Sequence, residues 1–148
     1  YFINKTININ EINKLINFKQ NDDFDIIKNS ALCGQKKNTN KLLSSTIIET
    51  DKTTLYLSIL NQRFYKLKEI FKSKTSLEIS INEIKPPIFW KEKPVFLQQV
   101  KLWNESKINA ALKKIYDTEL KSKMNSSIDK KTLLKSLIID ICELANAA

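Results

Sequence analysis

The amino-acid sequence predicts an all-α protein, a helical bundle of about six or seven helices with short connections. A stripe of apolar residues three or four positions apart, from Leu57 to Phe71, is the longest helical pattern in the chain. The last segment, residues 130–144, has an even broader apolar face. Residues 76–83 alternate as a strand would, but no partner strand is visible, so we expect a short helix there.

Helix-start and helix-stop signals divide the first half of the chain. Asn8, with Glu11 three residues later, matches the capping box that begins a helix. Gly34 is expected to end the second helix, because glycine readily adopts the left-handed conformation found after helix C-termini. A third, weaker helix is predicted over residues 36–48, and the core helix of about twenty residues begins near Asp51.

Residues 84–103 contain all three prolines and both tryptophans of the chain. The Pro-Pro pair at 86–87 must interrupt the helices on either side, because each ring removes a backbone donor and crowds the preceding turn. A new helix is predicted to begin near Pro94, and Asn104 and Asp129 are the expected caps of the last two helices. The predicted inner face of the penultimate helix consists of Ile108, Ala111, Leu112, Ile115 and Leu120.

Three features of the composition argue against whole classes of chemistry. The chain has no histidine, which removes the usual general base and the commonest metal ligand. Its single glycine, Gly34, cannot build a phosphate-binding loop of the Walker or dinucleotide type. Cys33 and Cys142 lack zinc-like spacing and are expected to be buried, reduced side chains of a cytoplasmic protein. We therefore expect no catalytic site, cofactor or metal.

The charge and the ends of the chain carry further information. No run of eighteen apolar residues occurs, so we expect no membrane span. The net charge of +9 is typical of nucleic-acid binding, but Arg63 is the only arginine, and the excess of Lys, Asn and Ile indicates a very AT-rich genome. Much of the lysine is therefore expected on solvated faces. The opening YFINKT, without a start methionine or signal peptide, suggests a piece of a longer protein.

The aromatic residues of the 84–103 stretch allow two interpretations. Phe89, Trp90 and Trp103, with Lys91 and Lys93 nearby, could stack on bases and contact phosphate. Aromatic residues with helical spacing also form cores, and a solvated turn explains the two lysines equally well. Phe89, Phe96 and Trp103 share helical spacing, and their burial would favour a helical scaffold, whereas exposed rings beside lysines would favour a binding surface. The sequence leaves both interpretations open.

The densest local positive charge surrounds the connection between the last two helices. It consists of Lys121, Lys123, Lys130 and Lys131. One hypothesis is electrostatic contact with a DNA backbone. The alternative is a pair of solvated helix ends.

Several segments resemble the C-terminal region of the bacterial DNA polymerase III delta subunit, most closely its alphaproteobacterial form. Residues 84–94, reading IKPPIFWKEKP, and the helix that ends at Trp103 are similar to that family. Residues 60–67, reading LNQRFYKL, are similar to its long helix, and residues 119–123 match its Glu-Leu-x-x-Lys. Residues 7–12 look like the last helix of the preceding lid domain. The family usually has a glycine in the loop after Lys123 and another before the long helix, and this chain has neither.

The resemblance covers nearly the whole chain and implies a clamp-loader subunit. Residues 1–18 would end the AAA+-like lid domain, and residues 19–148 would form the C-terminal helical collar, the oligomerisation domain. The implied partners are the gamma/tau and delta-prime subunits; the sliding clamp would bind only through an N-terminal part that this chain lacks. The resemblance implies no catalytic residue. The expected subunit interface lies on the last two helices, with Leu133, Leu137, Ile141 and Leu144.

A free-standing helical nucleic-acid-binding module is the alternative function. It would use the aromatic and basic residues of 84–103 directly.

Overall fold

The computed structural model describes residues 23–85, 87–124 and 127–147. Within these ranges the chain forms seven α-helices and a short 3-10 turn (Thr50–Lys52), with no strand. The first helix, α1, includes residues 23–32. The others are α2 (Lys36–Ser45), α3 (Thr53–Lys72), α4 (Leu77–Glu83), α5 (Lys93–Leu102), α6 (Glu105–Met124) and α7 (Lys130–Asn146). The all-α prediction is confirmed, whereas the predicted helix at Asn8 and the lid segment 1–18 lie outside the described residues.

The predicted helix-end signals at three positions are confirmed. Gly34 follows α1 with a φ of 71°, in the left-handed region. The Asn104 side chain accepts a hydrogen bond from the Lys107 backbone N–H at 2.8 Å, which caps α6. Asp129 caps α7 by accepting from the Lys131 backbone N–H at 3.3 Å.

The core is built around α3, which packs against α4, α5, α6 and α7. Its predicted stripe is buried over most of its length, at Leu57, Leu60, Phe64 and Leu67. Phe71 departs from the prediction, because it lies in the last turn of α3 at the edge of the core and is 38% exposed. The helices α6 and α7 also pack against each other, and α2 packs against α7.

The inner face of α6 was predicted correctly at Ile108, Ala111 and Ile115, all fully buried. The prediction is wrong for Leu120, which is 38% exposed. Thr118 takes the next core position, because it continues the three-and-four spacing of the face and Leu120 does not. Its hydroxyl donates to the Lys114 carbonyl at 2.8 Å, so no polar group is left unsatisfied by the burial.

The proline-rich joint separates α4 from α5, as predicted. No helix occurs in its described residues, 84–85 and 87–92, and α5 carries Pro94 in its first turn, where the missing N–H costs no helical hydrogen bond. Ile84 and Ile88 are buried and attach the joint to the core. The short helix expected over 76–83 is also confirmed as α4.

Among the helices within the described residues, none combines the length and the apolar character that crossing a membrane would require.

The two positions Ile115 and Leu120 give a direct test of the α6 face. We expect Ile115→Ala to lower the free energy of unfolding by about 2–5 kcal/mol, because it leaves a cavity in the core. Leu120→Ala should cost clearly less than Ile115→Ala, since more than a third of the Leu120 side chain already contacts water and its removal leaves no enclosed cavity. Urea unfolding followed by circular dichroism measures both, and equal losses would contradict the assigned helix face.

Candidate functional site at the aromatic turn

Residues 89–92, the aromatic turn, lie between the prolines and α5. The Glu92 backbone N–H donates to the Phe89 carbonyl at 2.8 Å and closes the turn. Phe89 and Trp90 project from it, with 58% and 68% of their surfaces exposed and their ring centroids 5.9 Å apart. The Lys91 ammonium lies 5.4 Å from the centroid of the Trp90 ring, within reach of a cation–π interaction. The turn therefore presents two rings and a cation to solvent.

Arg63 of α3 anchors the aromatic turn to the core. Its side chain is only 5% exposed, and Nη2 donates to Oε2 of Glu92 at 2.6 Å. Nη1 donates to Oε1 of Gln99 in α5 at 3.5 Å, and the guanidinium lies 5.4 Å from the centroid of the Phe96 ring. A buried charge needs such partners, because an unpaired guanidinium in a core is very costly. Arg63 thus joins α3, the turn and α5.

The polar contacts continue into α1. Gln99 is fully buried, and its amide donates to Oδ1 of Asn29 at 3.3 Å. Lys28, which is 4% exposed, donates to Oδ1 of Asp25 at 2.8 Å. Burial lowers the pKa of Lys28 below its ordinary value; the positive charge of Arg63 lowers it further, while Asp25 acts in the opposite direction. A buried polar network therefore lies behind the exposed turn.

The other two aromatic residues of the 84–103 stretch belong to the core. Phe96 is fully buried, and Trp103 is 3% exposed. The Trp103 indole donates to the Leu32 carbonyl at 2.9 Å, which satisfies a group at the end of α1, and its ring meets that of Phe64 edge-on at 4.8 Å. The prediction that Phe89 shares a helical face with Phe96 is wrong, because Phe89 precedes α5 in the non-helical joint.

The four predicted interface residues of α7 do not share one surface. Leu137 and Ile141 are 2% and 0% exposed, so they pack inside this chain and a partner subunit cannot contact them. For these two residues the interface prediction is therefore corrected to a core role. Leu133 and Leu144 are half-buried and keep part of their side chains at the surface.

The four predicted DNA-contact lysines are all exposed: Lys121, Lys123, Lys130 and Lys131. The Lys123 ammonium lies 2.9 Å from Oε1 of Glu119, the ion pair expected from their spacing on α6. DNA contact by these lysines stays a prediction.

Neither cysteine has the properties of a reactive thiolate. Burial raises the pKa of both thiols, Cys33 and Cys142, so they are protonated near neutral pH. Cys142 is buried and Cys33 half-buried, and both are free thiols. In the part of the chain that the structure describes, no group of three or more His, Cys, Asp or Glu side chains is placed to hold a metal ion.

The role of Arg63 in fixing the aromatic turn is not among the features predicted from the sequence. One signal was present, since a single arginine in a chain whose other basic residues are all lysine marks a position where lysine cannot make the same contacts.

Comparisons of this chain with protein-family models, with curated proteins and with solved structures find no match.

The ion pair between the buried Arg63 guanidinium and the partly exposed Glu92 carboxylate predicts how substitutions of the two residues combine. Glu92→Ala leaves the buried Arg63 guanidinium without its carboxylate partner and should cost about 1–3 kcal/mol of unfolding free energy, because only the Gln99 amide and the Phe96 ring remain near the charge. Adding Arg63→Met to Glu92→Ala should restore part of that loss, because the unpaired charge is gone. Chemical denaturation of the single and double variants measures the coupling, and a double variant less stable than Glu92→Ala would contradict it.

Lys28 predicts a rise in stability at alkaline pH. Its pKa is lower in the folded chain than the ordinary value of 10.5, so unfolding takes up a proton between the two values. The free energy of unfolding should therefore rise with pH across that window and fall as pH drops through the folded-state pKa. We expect Lys28→Met to flatten this rise in urea titrations on the alkaline side of neutrality, whereas the exposed control Lys72→Met should keep the wild-type slope.

Proposed function

We propose that this chain is the collar domain of a clamp-loader delta subunit, which assembles with gamma/tau and delta-prime subunits to load the sliding clamp in DNA replication. The supporting observation is that segments carrying the resemblance meet in space. Phe64 of the LNQRFYKL segment contacts Trp103 with ring centroids 4.8 Å apart, and its neighbour Arg63 pairs with Glu92 at 2.6 Å. The two segments that resemble the family, residues 60–67 and 84–103, would then be parts of one packed core.

A collar domain requires rigid helices with faces left for other subunits. The long helices α3, α6 and α7 supply a packed scaffold, and several apolar side chains remain at the surface. A stable interface buries at least on the order of 1,000 Å². Leu133 and Leu144 would contribute to such an interface, because both are half-buried.

Assembly with the implied partners tests this function. Purified chain mixed with gamma/tau and delta-prime should elute as a complex in size-exclusion chromatography. The experiment is repeated at roughly 0.5 M salt, because a chain of charge +9 binds acidic proteins non-specifically at low ionic strength. Failure to form any complex under both conditions would overturn the collar proposal.

Single-stranded nucleic-acid binding is the second function that we propose. It is favoured by the exposure of Phe89 and Trp90 beside Lys91, since exposed rings flanked by cations are what single-strand binders use to stack bases and track phosphates. Lys85, just before the proline pair, is also exposed. This function would be carried by the aromatic turn and does not require partner subunits.

Substitution of the two rings tests the nucleic-acid function. Base–aromatic stacking contributes about 1–3 kcal/mol per base, so Phe89→Ala plus Trp90→Ala should weaken oligonucleotide binding by roughly tenfold or more. Fluorescence anisotropy with labelled single-stranded DNA measures the affinity, and Tyr65→Ala is the control, because Tyr65 is a 56% exposed aromatic residue elsewhere on α3. Equal affinities would rule out stacking at the turn.

The same titration distinguishes binding at the aromatic turn from binding at the lysine cluster, which consists of Lys121, Lys123, Lys130 and Lys131. If the lysines contact a DNA backbone, Lys130→Glu plus Lys131→Glu should lower the affinity and flatten its dependence on salt, while leaving ring stacking intact. Unchanged affinity and salt dependence would remove the lysine cluster from the DNA-binding hypothesis.

A further inference from the structure

The helix α6 has a second apolar row in addition to its core face. Tyr116, Leu120 and Met124 occupy positions i, i+4 and i+8, which lie above one another on the helix surface. They are 60%, 38% and 80% exposed, respectively. We call these three residues the α6 stripe. Their spacing covers about 12 Å along the axis, or two turns.

The α6 stripe is not needed to attach α6 to the bundle. That attachment is made by the buried face of Ile108, Ala111 and Ile115. A helix that is apolar on a second, exposed side is typical of one that packs on a core and also on a partner. Anchors spaced four residues apart are the pattern by which two helices interlock.

The charges near the α6 stripe indicate what kind of helix would pack there. Lys113, Lys121 and Lys123 are exposed on α6, and Lys123 is paired with Glu119 at 2.9 Å. Exposed Asp117 is the remaining nearby carboxylate of α6. A second copy of this chain would bring the same lysines and a net charge of +9, so like charges would oppose self-association.

We propose that the α6 stripe docks an amphipathic helix of a partner chain, with an apolar row against Tyr116, Leu120 and Met124 and carboxylates facing Lys113 and Lys121. This inference rests on the proposed collar function, in which the partner is another clamp-loader subunit. It moves the centre of the expected interface from the buried positions of α7 to the outer side of α6.

A pair of matched double variants tests the docking surface. Tyr116→Ser plus Met124→Ser removes the two most exposed members of the α6 stripe. The control, Tyr65→Ser plus Ile47→Ser, removes a tyrosine and an aliphatic residue that are 56% and 86% exposed elsewhere. Titration calorimetry with gamma/tau and delta-prime measures binding, and circular dichroism checks that both variants keep the wild-type helix content.

We expect the stripe variant to bind at least about tenfold more weakly, because tyrosine side chains buried at the centre of an interface commonly carry much of the binding energy. The control should stay within about twofold of wild type, as energetically neutral surface positions do. A third variant, Lys113→Glu plus Lys121→Glu, should also weaken binding, and its loss should shrink as salt is added.

The outcomes separate this inference from the proposed function. If the wild type forms the complex and the stripe variant binds equally tightly, the docking surface is wrong and the collar function stands. If the wild type forms no complex, the collar function fails and the inference fails with it. If sedimentation shows a wild-type dimer that the stripe variant abolishes, the occupant is a second copy, and the acidic partner helix is overturned.

Discussion

The buried guanidinium of Arg63 is the constraint on which the surrounding structure depends. A charge that is 95% removed from water must have close partners, and it finds them in the Glu92 carboxylate, the Gln99 amide and the Phe96 ring. These partners come from the turn after the prolines and from α5. Satisfying one side chain of α3 therefore positions both neighbouring segments, and Gln99 extends the arrangement to α1 through Asn29.

The same interaction gives the 84–103 stretch two different sides. Its inner side is core, where Phe96 and Trp103 are buried and the Trp103 indole reaches the last turn of α1. Its outer side is the aromatic turn, where Phe89 and Trp90 face solvent. Because Glu92 is part of that turn and also the partner of Arg63, the exposed rings are displayed on a turn that is tied to the core. A surface built in this way loses little conformational entropy on binding, which suits either proposed function.

The helices α6 and α7 illustrate why an apolar face is not by itself an interface. The broad face of α7 is used almost entirely inside the chain, where Leu134, Leu137 and Ile138 are buried. The helix α6 has the less apolar sequence, yet it keeps an exposed row at Tyr116, Leu120 and Met124. Total apolarity therefore measures how much a helix can bury, while the direction of each side chain relative to its neighbours decides where a partner can dock.

The sequence by itself determined the helical class, the break at the prolines, the stop at Gly34 and the caps at Asn104 and Asp129. Each of these depends on local chemistry, because caps, left-handed glycine and proline act within one turn of the backbone. Only the tertiary structure decided that Phe89 is exposed and Phe96 buried, that Leu120 faces outward, and that Arg63 pairs with Glu92. Burial depends on which helices lie opposite each face. That information comes from contacts between residues distant in the chain, such as Arg63 and Gln99, and periodicity within a single helix does not contain it.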